Sequence, residues 1–162
     1  MNRRTWAPRG QTPIQRAFAR HDRLSVIGAL SLAPRQQRIG LHFEVQSSNV
    51  RTADLVQFLR RLHGRLRRRI ILVMDRWPVH LAAVRRLLEE GCAWLEVEWL
   101  PPYAPELNPV EQMWGHAKYS DLANFVPDSP QELEDAVTES LCDQYGEHDL
   151  KRTFFRTAGL SL

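Results

Sequence analysis

Thiols, lysines and long apolar runs are all scarce in this chain of 162 residues. The two cysteines, Cys92 and Cys142, lie far apart and outside any metal-ligand spacing, which excludes a disulfide scaffold and a cysteine zinc site. They read as buried or inert thiols of a reducing, cytoplasmic protein. No apolar stretch approaches the ~18–20 residues of a membrane-spanning helix. The basic start Met1-Asn2-Arg3-Arg4-Thr5-Trp6 has no apolar segment behind it, so neither a signal peptide nor a membrane partner is expected. The phosphate-binding loop, the dinucleotide glycine fingerprint, HExxH and GxSxG are all missing, and no Ser–His–Asp arrangement has local support. There is no internal repeat, low-complexity stretch or long linker, so residues 1–162 are read as one domain.

What is abundant is arginine, 20 residues against two lysines, and it is unevenly spread. Residues 1–69 hold 15 arginines and three acids (Asp22, Glu44, Asp54), whereas residues 70–162 hold 7 basic and 16 acidic residues. A basic half of that size suits a polyanionic partner. The candidate phosphate contacts are Arg3, Arg4 and Arg9 around Trp6, and the run Arg67-Arg68-Arg69; the plainer reading of each cluster is a solvated face.

Along the chain, two prolines exclude helix from the segment Trp6 to Pro13. Residues 24–32 form an apolar run of strand length, and residues 38–46 alternate, with Ile39, Leu41, Phe43 and Val45 on one face. Gly40 marks a bulge or a close approach. Thr52 reads as the cap of a helix carrying Leu55, Val56, Leu59, Leu62 and Leu66 at helical spacing. The continuous run Ile70 to Met74 predicts a parallel strand buried on both faces. Pro78 opens a helix with Leu81, Val84, Leu87 and Leu88 inside, and Gly91 stops it. A strand over 94–100, a rigid Pro101-Pro102-Tyr103-Ala104-Pro105 loop, a helix from near Asn108, and helices over 130–145 and about 149–158 complete the chain. The order implies an α/β domain whose parallel part is covered on both faces.

Asp75 directly follows the apolar strand, where open α/β sheets place ligand sites, and its carboxylate suits a divalent cation. It reads equally as a turn residue before Pro78. Glu111 lies at the third position of a helix opened by Asn108-Pro109, where it either closes a capping box on Asn108 or points towards Asp75. His80 reads as an orienting group beside Asp75 or as a plain surface histidine. Glu106 reads as a loop residue, and Met113 and Trp114 as core.

Taken together, Trp6-Ala7-Pro8-Arg9-Gly10, Ile71-Leu72-Val73-Met74-Asp75 with His80, and Leu100-Pro101-Pro102-Tyr103-Ala104-Pro105-Glu106-Leu107-Asn108-Pro109-Val110-Glu111 with Trp114 and Lys118 resemble insertion-sequence transposases of the mariner superfamily. The stretch Leu100–Trp114 is the most specific, and the likeness is weakest after about residue 125.

The resemblance implies a DDE transposase of the bacterial branch, with an RNase H-like mixed sheet flanked by helices. It implies a site of three carboxylates in which Asp75 is the second and Glu111 the third, with His80, Asn108 and Lys118 as accessories. Two Mg²⁺ (or Mn²⁺) ions are the implied cofactors, and transposon ends and target DNA the implied partners. The chain departs from the family at Arg76, where asparagine is common. It departs again upstream of Trp6, where only five residues, none acidic, stand in place of the strand bearing the first aspartate. The expectation is therefore a domain lacking its first, central strand and the helix-turn-helix region, inactive or incomplete alone. It would be completed by an upstream transposase half or a second copy, or be a catalytically dead remnant that at most binds DNA. Asp22 or Glu44 as a substitute carboxylate is the remaining possibility. Without that strand, the segments 24–32 and 70–74 must pair with each other, recruit another segment or keep open edges.

Overall fold

A computed structural model describes Arg9 and residues 24–35 and 38–162. Arg3, Arg4, Trp6 and Asp22 fall outside the described residues, and Arg9 stands at an exposed turn. Strands β1 (Ser25–Leu32) and β2 (Ile39–Gln46) form an antiparallel hairpin in unbroken register from Ser25↔Gln46 to Leu32↔Ile39. Gly40 therefore makes no bulge. It permits a close approach: a Cβ there would lie 2.6 Å from Ser31 Oγ and 2.9 Å from His42 Nε2, which are hydrogen-bonded at 3.0 Å.

Helix α1 (Thr52–Leu66) starts with Arg51, not Thr52, as its cap, because the Asp54 carboxylate accepts the Arg51 N–H at 2.8 Å and closes a capping box. It ends at Arg67, in the left-handed region at φ 53°. Strand β3 (Ile70–Met74) leads through helix α2 (Pro78–Glu89) to β4 (Leu95–Trp99), which pairs with β3 in parallel. Ala83, Val84 and Leu87 are the buried stripe of α2. Leu81 and Leu88, expected inside, are 44% and 54% exposed. At 3.6 residues per turn they lie roughly 100° around the helix from the centre of that stripe.

Helices α1 and α2 share one core with Ile27 of β1, Met74 of β3 and Leu95 of β4, with Ile70 and Leu72 packed against it. Val26 and Leu30 alternate to the opposite face of the hairpin. There, with Leu41 and Phe43, they meet helices α3 (Pro109–His116), α4 (Pro130–Gly146) and α5 (His148–Thr157) through Met113, Leu141 and Phe154. The layers are thus helix, sheet, helix.

Among the described residues the sheet is in two halves, β1–β2 and β3–β4, with no ladder joining them. β1 and β3 feed the same core yet do not pair with each other, and among the described residues nothing pairs with the second edge of either. The parallel pair is not covered on both faces as its apolar run predicts. Ile71 and Val73 are 65% and 56% exposed, because α3 to α5 lie over the hairpin and no described element covers that side of β3. Cys142 is exposed and Cys92 half-buried, both as free thiols. No helix among the described residues is long and apolar enough to cross a membrane.

Candidate active site

The carboxyl ends of β3 and β4 lie side by side, and the Leu100 N–H extends the ladder by donating to the Met74 carbonyl at 2.9 Å. Asp75 emerges there beside the Pro101-Pro102 loop. Its Oδ1 accepts the Trp77 N–H at 2.9 Å and lies 2.6 Å from His80 Nδ1. The local cause is plain. Trp77 caps α2 but has no side-chain oxygen for the task, and Pro78 at the first helical position lacks an N–H, so Asp75 supplies the acceptor from two residues upstream. The turn role of Asp75 is therefore real, and it uses one oxygen. Among the described residues no hydrogen bond reaches Oδ2, and the side chain is 52% exposed. The Trp77 ring meets the His80 ring nearly perpendicularly, at 89° and 5.3 Å between centroids.

Helix α3 carries Glu111. Asn108 is its cap, as the sequence indicated, but its side chain accepts from the Val110 N–H at 3.2 Å and forms no box with Glu111. Glu111 is exposed, and no hydrogen bond involves its carboxylate among the described residues. The helix is seated by Gly28 of β1, where a Cβ would fall 2.7 Å from the Trp114 ring and 2.8 Å from Met113 Cε. Met113 is fully buried and Trp114 packs beside it, both in the core as expected. After α3 the backbone widens into a π turn, Ala117–Asp121. Asp121 accepts from Ser140 Oγ at 2.6 Å and lies 3.4 Å from His116 Nε2, which ties α4 to the end of α3. Sequence reasoning missed this latch and the Trp77 contact. The first joins residues 19 apart with no motif, and the second was signalled only by Pro78 following a cap without an oxygen.

The family model of the DDE superfamily endonucleases matches residues 1–132. This chain belongs to that family. Its fold is also that of two solved structures. One is the "Crystal structure of the Mos1 Strand Transfer Complex" (TM-score 0.63, 20% identity, covering 98% of this chain and 46% of that one). The other is the "Mos1 transposase paired-end complex with left transposon end" (TM-score 0.63, 19% identity, 98% and 47% covered). The DDE-family chain thus spans just under half the length of either. At such identity the likeness establishes the RNase H-like α/β fold. No curated protein sequence matches.

In this DDE-family chain the other candidates separate by position. Lys118 is exposed within the π turn, about 10 Å along the axis from Glu111 at 1.5 Å per residue. Glu106 is exposed in a single 3-10 turn, Pro105–Leu107. Arg60 pairs with Glu90, and Arg61 holds both oxygens of Glu44, one of them from Nε at 2.7 Å. Glu44 is therefore no open ligand. Arg67, Arg68 and Arg69 are exposed with no ion pair among the described residues. They lie at the opposite end of β3 from Asp75, ~20 Å away at ~3.3 Å per strand residue.

The family works with divalent metal ions. Asp75 Oδ2 and the Glu111 carboxylate are open hard-oxygen donors of the kind such ions take. Among the described residues no three His, Cys, Asp or Glu side chains converge closely enough to hold one. The two donors fit such an ion in kind.

Proposed function

We propose that this chain carries the second and third carboxylates, Asp75 and Glu111, of a transposase site for DNA strand cleavage and transfer, in the bacterial insertion-sequence branch of the mariner superfamily. The observation that carries the reading is Glu111. Its carboxylate is left out of the cap of its own helix, while the acids at the same position of α1 and α4 are consumed in theirs, Asp54 by the Arg51 N–H and Glu132 by the Asp128 N–H. Two Mg²⁺ or Mn²⁺ ions, when bound, would supply an activated oxygen nucleophile and stabilise the leaving oxygen.

The chain's own residues hold the geometry. The Asn108 cap fixes the first turn of α3 and with it Glu111, and the Trp77 N–H fixes Asp75. Lys118 stands as an accessory cation near the end of α3. Arg3, Arg4, Arg9 and Arg67–Arg69 are the proposed phosphate contacts to transposon ends and target DNA; the structural neighbours are named for a strand transfer complex and a transposon end. The edges of β1 and β3 that stay unpaired among the described residues support a strand from an upstream transposase half or a second copy, which would bring the first aspartate. A second reading, a remnant that only binds DNA, is favoured by the shortage of converging ligands among the described residues.

The test is Mg²⁺- or Mn²⁺-dependent nicking of supercoiled plasmid, alone and with an upstream strand restored. Nicking that disappears in both Asp75→Ala and Glu111→Ala is expected. Nicking indifferent to both substitutions would sink the assignment. DNA retention without nicking, even after restoration, would establish the remnant.

A further inference from the structure

We propose that His80 is a positioning residue that fixes Asp75 as a one-oxygen metal ligand. The inference rests on the reading of Asp75 as a ligand and concerns how that ligand is held. A carboxylate accepts and never donates, so the 2.6 Å contact requires a hydrogen on His80 Nδ1. That hydrogen and the Trp77 N–H at 2.9 Å converge on the same oxygen, Oδ1. One donor would leave a half-exposed carboxylate free to swing about its Cβ–Cγ bond. Two donors, one from the backbone and one from a ring, stop it and leave the lone pairs of Oδ2 facing outward.

The ring cannot drift either. It stands in the first turn of α2, its side chain is 23% exposed, and the edge of Trp77 closes it at 89°. The bland alternative is that His80 serves only to pack against Trp77. The two roles call for different atoms. Phenylalanine keeps the ring and loses the donor, while asparagine loses the ring and keeps an N–H at the position of Nδ1.

The first measurement needs no metal. In ¹⁵N-labelled chain the long-range ¹H–¹⁵N spectrum should show a proton on Nδ1 of His80, and that pattern should change in Asp75→Ala. An Nδ1 without a proton overturns the proposal. The second is calorimetric titration with Mn²⁺. His80→Phe should weaken binding by about 10–100-fold, the usual effect of losing an outer hydrogen bond to a ligand, and His80→Asn should stay within a few-fold of wild type. Binding kept by His80→Phe and lost by His80→Asn would assign the packing role instead. Unchanged affinity in Asp75→Asn would refute the ligand reading itself, whatever the His80 variants do. No Mn²⁺ binding by the wild-type chain would overturn both.

Discussion

Among the described residues three helices have an acid at their third position, and of these only Glu111 of α3 keeps its carboxylate out of the cap. The sequence Asn108-Pro109-Val110-Glu111 fits a capping box as well as any, so its residue types did not separate a cap from a ligand. The distinction lies in the cap's own N–H: Asn108 ends the preceding 3-10 turn and donates to the Pro105 carbonyl at 3.0 Å, so no cap N–H is left for Glu111 to accept. Asp75 shows the converse, since its turn role was legible and is present, yet occupies one oxygen of two. His42 carries a separate consequence at this scale. It is half-buried on β2, and burial first, then the positive charge of Arg65, holds its pKa below the ordinary 6.5. At pH 7 the ring is mostly neutral in both folded and unfolded chains, and more completely so in the folded one. As pH falls below 6.5 the unfolded chain takes up the proton first, so stability is lost on the acid side and not above. Denaturant unfolding of His42→Gln between pH 7 and about pH 5 should show a shallower loss than wild type. Equal slopes would remove His42 as the cause.

Elements were read from the sequence to within a residue or two: β1 at 25–32 against an expected 24–32, β2 at 39–46 against 38–46, and β3 at 70–74 as expected. Periodicity and the proline and glycine stops carried that much. Which faces are covered was less legible, because cover comes from elements distant in the chain. The run Ile70 to Met74 signals burial on both faces, yet only Ile70, Leu72 and Met74 meet the α1–α2 core. Ile71 and Val73 point away from it, in register with the exposed Glu96 and Glu98 of β4. Neighbouring residues of one strand should therefore answer differently to truncation. Leu72→Ala should cost about 2 kcal/mol or more by chemical denaturation, and Ile71→Ala within about 0.5 kcal/mol. Equal costs would mean that the exposed face of β3 is covered in solution.

At the scale of the molecule, charge and sheet architecture divide along the same line. The half of the sequence rich in arginine builds the β1–β2 hairpin and α1, and the acidic half builds α4. The charge asymmetry was legible from composition, but the sorting of the arginines was not, since it depends on which meet acids across space. Arg60 and Arg61 are neutralised by Glu90 and Glu44, 30 and 17 residues away in sequence, whereas Arg67 to Arg69 are exposed and make no ion pair among the described residues. The sheet in two halves was foreseeable only as one of three outcomes for strands without a common neighbour, and open edges are the one realised among the described residues. If the three arginines grip phosphates, DNA affinity must carry their signature in salt. Each phosphate neutralised adds ~0.9 to the slope of log affinity against log salt concentration, so replacing all three by alanine should reduce that slope by up to ~2.7. Because the cluster sits at the far end of β3 from Asp75, Mn²⁺ affinity should not change with it. A slope untouched by the triple substitution would make the cluster a solvated face and shift DNA contact to other parts of the basic half. A slope that falls together with Mn²⁺ affinity would show that the substitution had disturbed the fold instead of the interface.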